Sequence, residues 1–158
     1  MIKIIDDNSR ISDYLFLKNL DVDEKSLKSI YRIISGDPLR KDFENNKIRE
    51  VANWYLTNEN SMDAIPLAAT FYFVFNTIKP FEKDNMRMAQ IFMNVILLKH
   101  GFPPLDISLD NRLIYLSKNK KNREENIKFI EDLINKEING KKFDKKISEL
   151  LIRCTIEI

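Results

Sequence analysis

The chain has 158 residues, 44% of them hydrophobic and 10% aromatic, enough to build one globular domain (1–158) with a sizeable core and too apolar for a disordered tail. Its 26 lysines and arginines nearly balance 24 aspartates and glutamates, for a net charge of +2, which argues against a nucleic-acid partner. Three glycines and five prolines favour helices over a turn-rich β fold, and the single cysteine, Cys154, excludes an internal disulfide or a cysteine metal cluster. With no N-terminus of secretory type and no apolar run of membrane-spanning length, a cytoplasmic, soluble chain with no membrane partner is expected.

Apolar patterning predicts an all-α chain, with helices near 9–19, 23–35, 45–58, 63–78, 85–100, 109–118, 122–138 and 143–153. Asp23 before Glu24 and Ser61 before Asp63 are start signals, and Asn139-Gly140 is a stop signal. Between the second and third helices, Ser35 to Asn46 is the clearest non-helical stretch. Ile65 to Ile78 and Met86 to Leu98 are each apolar on nearly every side, as only central helices can be. The polar link Lys79-Pro80-Phe81-Glu82-Lys83-Asp84-Asn85-Met86-Arg87 joins them, and its shortness predicts an antiparallel pair. At the link the second helix presents its free backbone N–H groups, a ready anion site.

The single histidine, His100, precedes Gly101 in the last turn of that helix, where a donor suits the free carbonyls. It stands roughly 20 Å along the helix from the link, too far to serve there as a base. The lysine-rich tail from Lys118 to Lys146 is interleaved with Glu124, Glu125, Glu131, Asp132, Glu137 and Asp144, and reads as a solvated amphipathic face. In the link, Phe81 reads as a core anchor. Asn85 suits either a helix N-cap or a phosphate contact. Arg87, badly placed for the helix dipole, calls for an anion or carboxylate partner or else is a surface arginine. Lys79 is either a solvated loop residue or a desolvated base or nucleophile.

The link resembles the signature of the Fic domain, His-Pro-Phe-x-(Asp/Glu)-Gly-Asn-(Gly/Lys)-Arg, with Pro80, Phe81, Asn85 and Arg87 in place. The likeness extends to the helix from Ser26 to Gly36, which resembles the one leading into the family's target-docking flap. It continues in the turn Gly101-Phe102-Pro103-Pro104 and in Tyr115. What it implies is a Fic-like helical fold with two central antiparallel helices and a short extended flap that pairs with an extended segment of a protein target. It also implies transfer of AMP from ATP, with Mg²⁺, to a hydroxyl on that target.

Four positions depart from the signature. Lys79 replaces the histidine that takes the proton from the attacking hydroxyl, and a protonated lysine cannot do so. Lys83 stands where the family has its Mg²⁺-holding acid, so no metal ligand is expected there. Asp84 brings a Cβ and a negative charge to a glycine position at the phosphates, and Met86 removes a glycine or a phosphate-binding lysine. The family's inhibitory helix is also missing, because Glu125-Asn126 has Lys121 where the hydroxyl should be.

Two readings follow. In one, the transferase has lapsed and the fold serves as a binding or regulatory module for a protein partner, with a homo-oligomer left open. In the other, an altered transferase uses Lys79 in the histidine's place, with Asn85, Arg87 and Asp84 at the nucleotide. Loss of base, metal acid and glycine together favours the first.

Overall fold

The computed structural model describes residues 17–103 and 123–140. After a helical turn at 17–19 come α1 (Glu24–Ser35), α2 (Asn45–Asn58), α3 (Ala64–Ile78), α4 (Asn85–Lys99) and α5 (Arg123–Gly140). No strand occurs among the described residues, and the fold is all-helical as the patterning predicts. The expected helices at 109–118 and 143–153, most of that at 9–19, and Pro104, Tyr115 and Cys154 lie outside the described residues. The last helix ends at Gly140 among the described residues, at the glycine of the Asn139-Gly140 stop signal and two residues beyond the expected 138.

Local chemistry sets the ends of α1. The Asp23 carboxylate accepts a hydrogen bond from the backbone N–H of Ser26 at 2.8 Å, and Gly36 closes the helix in the left-handed conformation at φ 74°. Nothing lies near a Cβ built on Gly36, so glycine is needed there for its backbone freedom and not for space. Pro66 sits in the first turn of α3, where its missing N–H would have had no partner. α4 ends as expected at His100, whose Nδ1 lies 2.8 Å from the Ile96 carbonyl oxygen. A carbonyl only accepts, so Nδ1 carries the proton.

α3 is the hub of the bundle and touches α2, α4 and α5. Leu67 to Tyr72 are buried without a break, and Val74 and Phe75 follow. Against α3, α4 buries Met88, Ala89, Phe92, Met93 and Val95 to Leu98. Phe71 sits between layers, with ring centroids 6.3 Å from Trp54, 6.2 Å from Tyr55 and 5.8 Å from Phe75. From the tail, α5 contributes Ile130, Leu133 and Ile134 to the core and exposes Glu124, Glu125, Lys128 and Lys136, the amphipathic division that its charges predict.

The link is tied into this core by Phe81. Its ring is 6% exposed and stacks on Tyr31 of α1 at 4.1 Å and 9°. Phe43 meets it edge-on at 6.2 Å, and Phe75 lies at 6.1 Å. One side chain thus joins α1, the segment before α2, α3 and the link. Each such ring pair adds about 0.5–1.5 kcal/mol beyond burial. Phe81→Ala is expected to cost about 3–5 kcal/mol, read as a lower midpoint in urea unfolding; a loss under about 1 kcal/mol would show that the link is held by something else.

Two core tyrosines carry a pH signature. Desolvation pushes Tyr55 and Tyr72 each up to about 12, with Glu59 adding to the effect at Tyr55. The Tyr72 hydroxyl meets no hydrogen-bond partner among the described residues, and the Asn76 amide is spent on the Tyr72 carbonyl oxygen at 2.9 Å. Above the ordinary tyrosine value, near 10, the unfolded chain loses these protons and the folded chain keeps them. Stability should therefore fall as pH rises from about 10 to about 12. Tyr72→Phe should leave stability at neutral pH unchanged or raised and flatten this fall in thermal melts across that range; an unchanged slope would contradict the assignment.

Candidate functional site

The link turns the chain through two left-handed residues. Lys79 ends α3 at φ 50° and ψ 67°, and Asp84 opens α4 at φ 61° and ψ 21°. They are the non-glycine residues with positive φ among the described residues, and a side chain in that region costs roughly 1–2 kcal/mol. Pro80 stops α3 immediately after Lys79, since it has no N–H to continue the ladder.

Asn85 closes the turn. Its Oδ1 accepts from the Phe81 N–H at 3.0 Å, and its Nδ2 donates to the Phe81 carbonyl oxygen at 2.8 Å. A carboxamide offers both a donor and an acceptor from one planar group, which an ionised aspartate, an acceptor only, does not. The N-cap reading of Asn85 is corrected by one residue: Asp84 is the N-cap, and Asn85 is the first helical residue, with its side chain reaching back across the link. Asp84 makes no side-chain cap bond, so the first-turn N–H groups of α4 have no cap.

The other expected site residues face water. Lys79, Lys83 and Arg87 are exposed, and Arg87 makes no ion pair or hydrogen bond with another described residue. Lys79 and Asp84 are thus placed at the two ends of one short turn, and Asn85 is joined to its middle. Met86 is partly buried and packs on the core.

Beside the link lies a cavity of about 470 Å³ between it and residues 40–44, lined by Tyr31, Arg40, Phe43, Phe81 and Glu82 among others. Arg40 Nη2 bonds Glu82 Oε2 at 2.8 Å, and the guanidinium lies over the Tyr31 ring at 5.6 Å. The Glu82 bond holds the Arg40 guanidinium above its ordinary range, against some desolvation. The sequence reading missed this arrangement. Its one available signal was Phe43, the sole aromatic between Ser35 and Asn46.

The residues at the link do not fit Mg²⁺. Glu82 is engaged by Arg40, Lys83 offers no lone pair, and no group of three or more His, Cys, Asp or Glu among the described residues could hold a metal ion.

No family model and no solved structure matches the chain. Curated proteins do. A probable protein adenylyltransferase of Aquifex aeolicus (strain VF5) is 34% identical over 88 residues, covering 56% of this chain and 27% of the relative. Protein adenylyltransferase fic-1 of Caenorhabditis elegans is 26% identical over 80 residues, and that of Caenorhabditis briggsae 28% over 80, each covering 49% of this chain and 16% of the relative. The chain thus spans 27% or less of the length of these relatives. With an all-helical fold among the described residues, and the signature residues Pro80, Phe81, Asn85 and Arg87 at the turn between its two most apolar helices, the chain is similar to Fic-type protein adenylyltransferases, a likeness that supports a Fic domain.

Proposed function

We propose that this chain is a Fic domain that has lapsed as an AMP transferase and serves as a protein-binding or regulatory module. The observation that carries the reading is Asp84. Its left-handed backbone is the conformation a glycine takes without strain, so the turn keeps the shape of the signature's glycine position. The side chain, however, sets a carboxylate at the N-terminus of α4. That charge satisfies the helix dipole and repels the phosphate the dipole would otherwise draw. Lys79 and Lys83 reinforce it, because an ammonium carries donors only and can neither accept the hydroxyl proton nor hold a metal.

A protein partner is supported by exposed apolar residues flanking Gly36 in the chain. Ile33 and Leu39, on either side of Gly36, are large apolar side chains 67% and 83% exposed. Large apolar side chains this exposed, six residues apart in the chain, are consistent with a protein contact. A second reading, an altered transferase, is favoured by Arg87, a cation without a described partner in the first turn of a helix whose N-cap residue makes no side-chain cap bond. In that reading Lys79 stands in for the histidine, and Asn85 and Arg87 grip phosphate.

Calorimetric titration with ATP, with and without Mg²⁺, separates the two. The lapsed domain should show no saturable binding up to millimolar nucleotide. Saturable binding that disappears in Arg87→Ala would overturn the proposal in favour of the transferase. Because base, metal acid and glycine are all replaced, Lys79→His alone should restore no transfer of α-phosphate label from ATP to proteins in a lysate; labelling by that single variant would show that the rest of the site is intact.

A further inference from the structure

Residues 37–42 run between two fixed points. At one end Gly36 is locked as the C-cap of α1, and at the other Phe43 packs edge-on against both Tyr31, at 6.3 Å, and Phe81. Arg40 stands in the middle and is the fastening point. Its carbonyl oxygen accepts from Arg32 Nε at 2.9 Å, its own Nε donates to the Asp42 carbonyl at 3.3 Å, and its guanidinium crosses to Glu82. Among the described residues, no other ion pair or side-chain hydrogen bond joins this segment to the link.

The fastening is uneven. The Arg40 side chain is 19% exposed and lies over the Tyr31 and Phe43 rings, at 5.6 and 6.0 Å, whereas the Glu82 side chain is 70% exposed. An ion pair with one partner so open to water is weak and screened by salt. The two ends, in contrast, rest on helix capping and buried rings. The centre is joined to α1 by the Arg32 bond but to the link by this one exposed pair alone, so the segment can part from the link locally without unfolding the domain.

We propose that residues 37–42 form a strap, held down over the cavity beside the link by the Arg40–Glu82 ion pair, and that breaking this pair opens the cavity while the helices stay folded. The strap therefore sets access to Phe81, Pro80 and Tyr31, the faces a partner must reach to enter the cavity. This goes beyond the proposed function and stands or falls apart from it, since the strap can open over a link that binds no nucleotide.

Trypsin cleavage after Lys41 reads the opening directly. Lys41 is exposed and lies inside the strap, and substitutions at Glu82 leave the bond to be cut unchanged. Glu82→Gln should raise the initial cleavage rate after Lys41 about two- to fivefold, and Glu82→Lys, which repels Arg40, should raise it further. Cleavage at Lys47, in the first turn of α2, and at Lys99, the last residue of α4, should keep the wild-type rate. A rate after Lys41 that both variants leave unchanged would overturn the strap. So would a rise shared equally by Lys47 and Lys99, which would mean that Glu82 supports the whole fold and not the strap alone.

Discussion

The seat of Phe81 is the constraint on which the rest of the structure depends. α3 and α4 are too apolar to be separated from each other, and only six residues, 79–84, are available to return the chain between them. A return that short needs backbone shapes that ordinary side chains avoid. The turn therefore persists only if something holds its middle in place. Phe81 does so by inserting between Tyr31, Phe43 and Phe75, and the Asn85 amide fixes its backbone from the other side.

Magnitudes show which effect wins. Lys79 and Asp84 together cost roughly 2–4 kcal/mol in the left-handed region. Against that, two amide hydrogen bonds contribute about 0.5–1.5 kcal/mol each, and a fully buried phenylalanine about 1.5–3 kcal/mol. The ring contacts add to the favourable side. The balance is close enough that the strain is tolerated only because the clamp and the ring act on the same residue. It also explains why the strap matters: Phe43 belongs to the same ring cluster, so the segment before α2 is built into the seat of the link.

Much of this was legible in the sequence, for identifiable reasons. α3 and α4 could be read because a run buried on every side leaves no room for a polar alternative, and Phe81 because one large apolar residue in a polar turn must go somewhere dry. Asn85 was harder. An asparagine before an apolar run looks like a cap, and whether its amide points forward to the helix or back to Phe81 depends on a turn that local pattern does not specify. The Arg40–Glu82 pair was illegible: the two residues are 42 apart, each is an ordinary surface type, and only the folded ring cluster brings them together.

The division between matches and departures within the signature follows the same physics. Pro80 and Phe81 are buried, and Asn85 holds the turn closed; all three match, and all three have a structural task whatever the domain does. Lys79 and Lys83 are exposed, and Asp84 is partly so. These three depart where the side chain itself has no packing task, whereas Met86, the fourth departure, packs on the core. A sequence kept for its architecture and released from its chemistry would show this distribution. Arg87 is the opposite exception, since it matches the signature, faces water and holds nothing among the described residues. Architecture does not account for it. Of the link residues, it is therefore the one whose presence bears most directly on whether the α4 N-terminus still meets an anion.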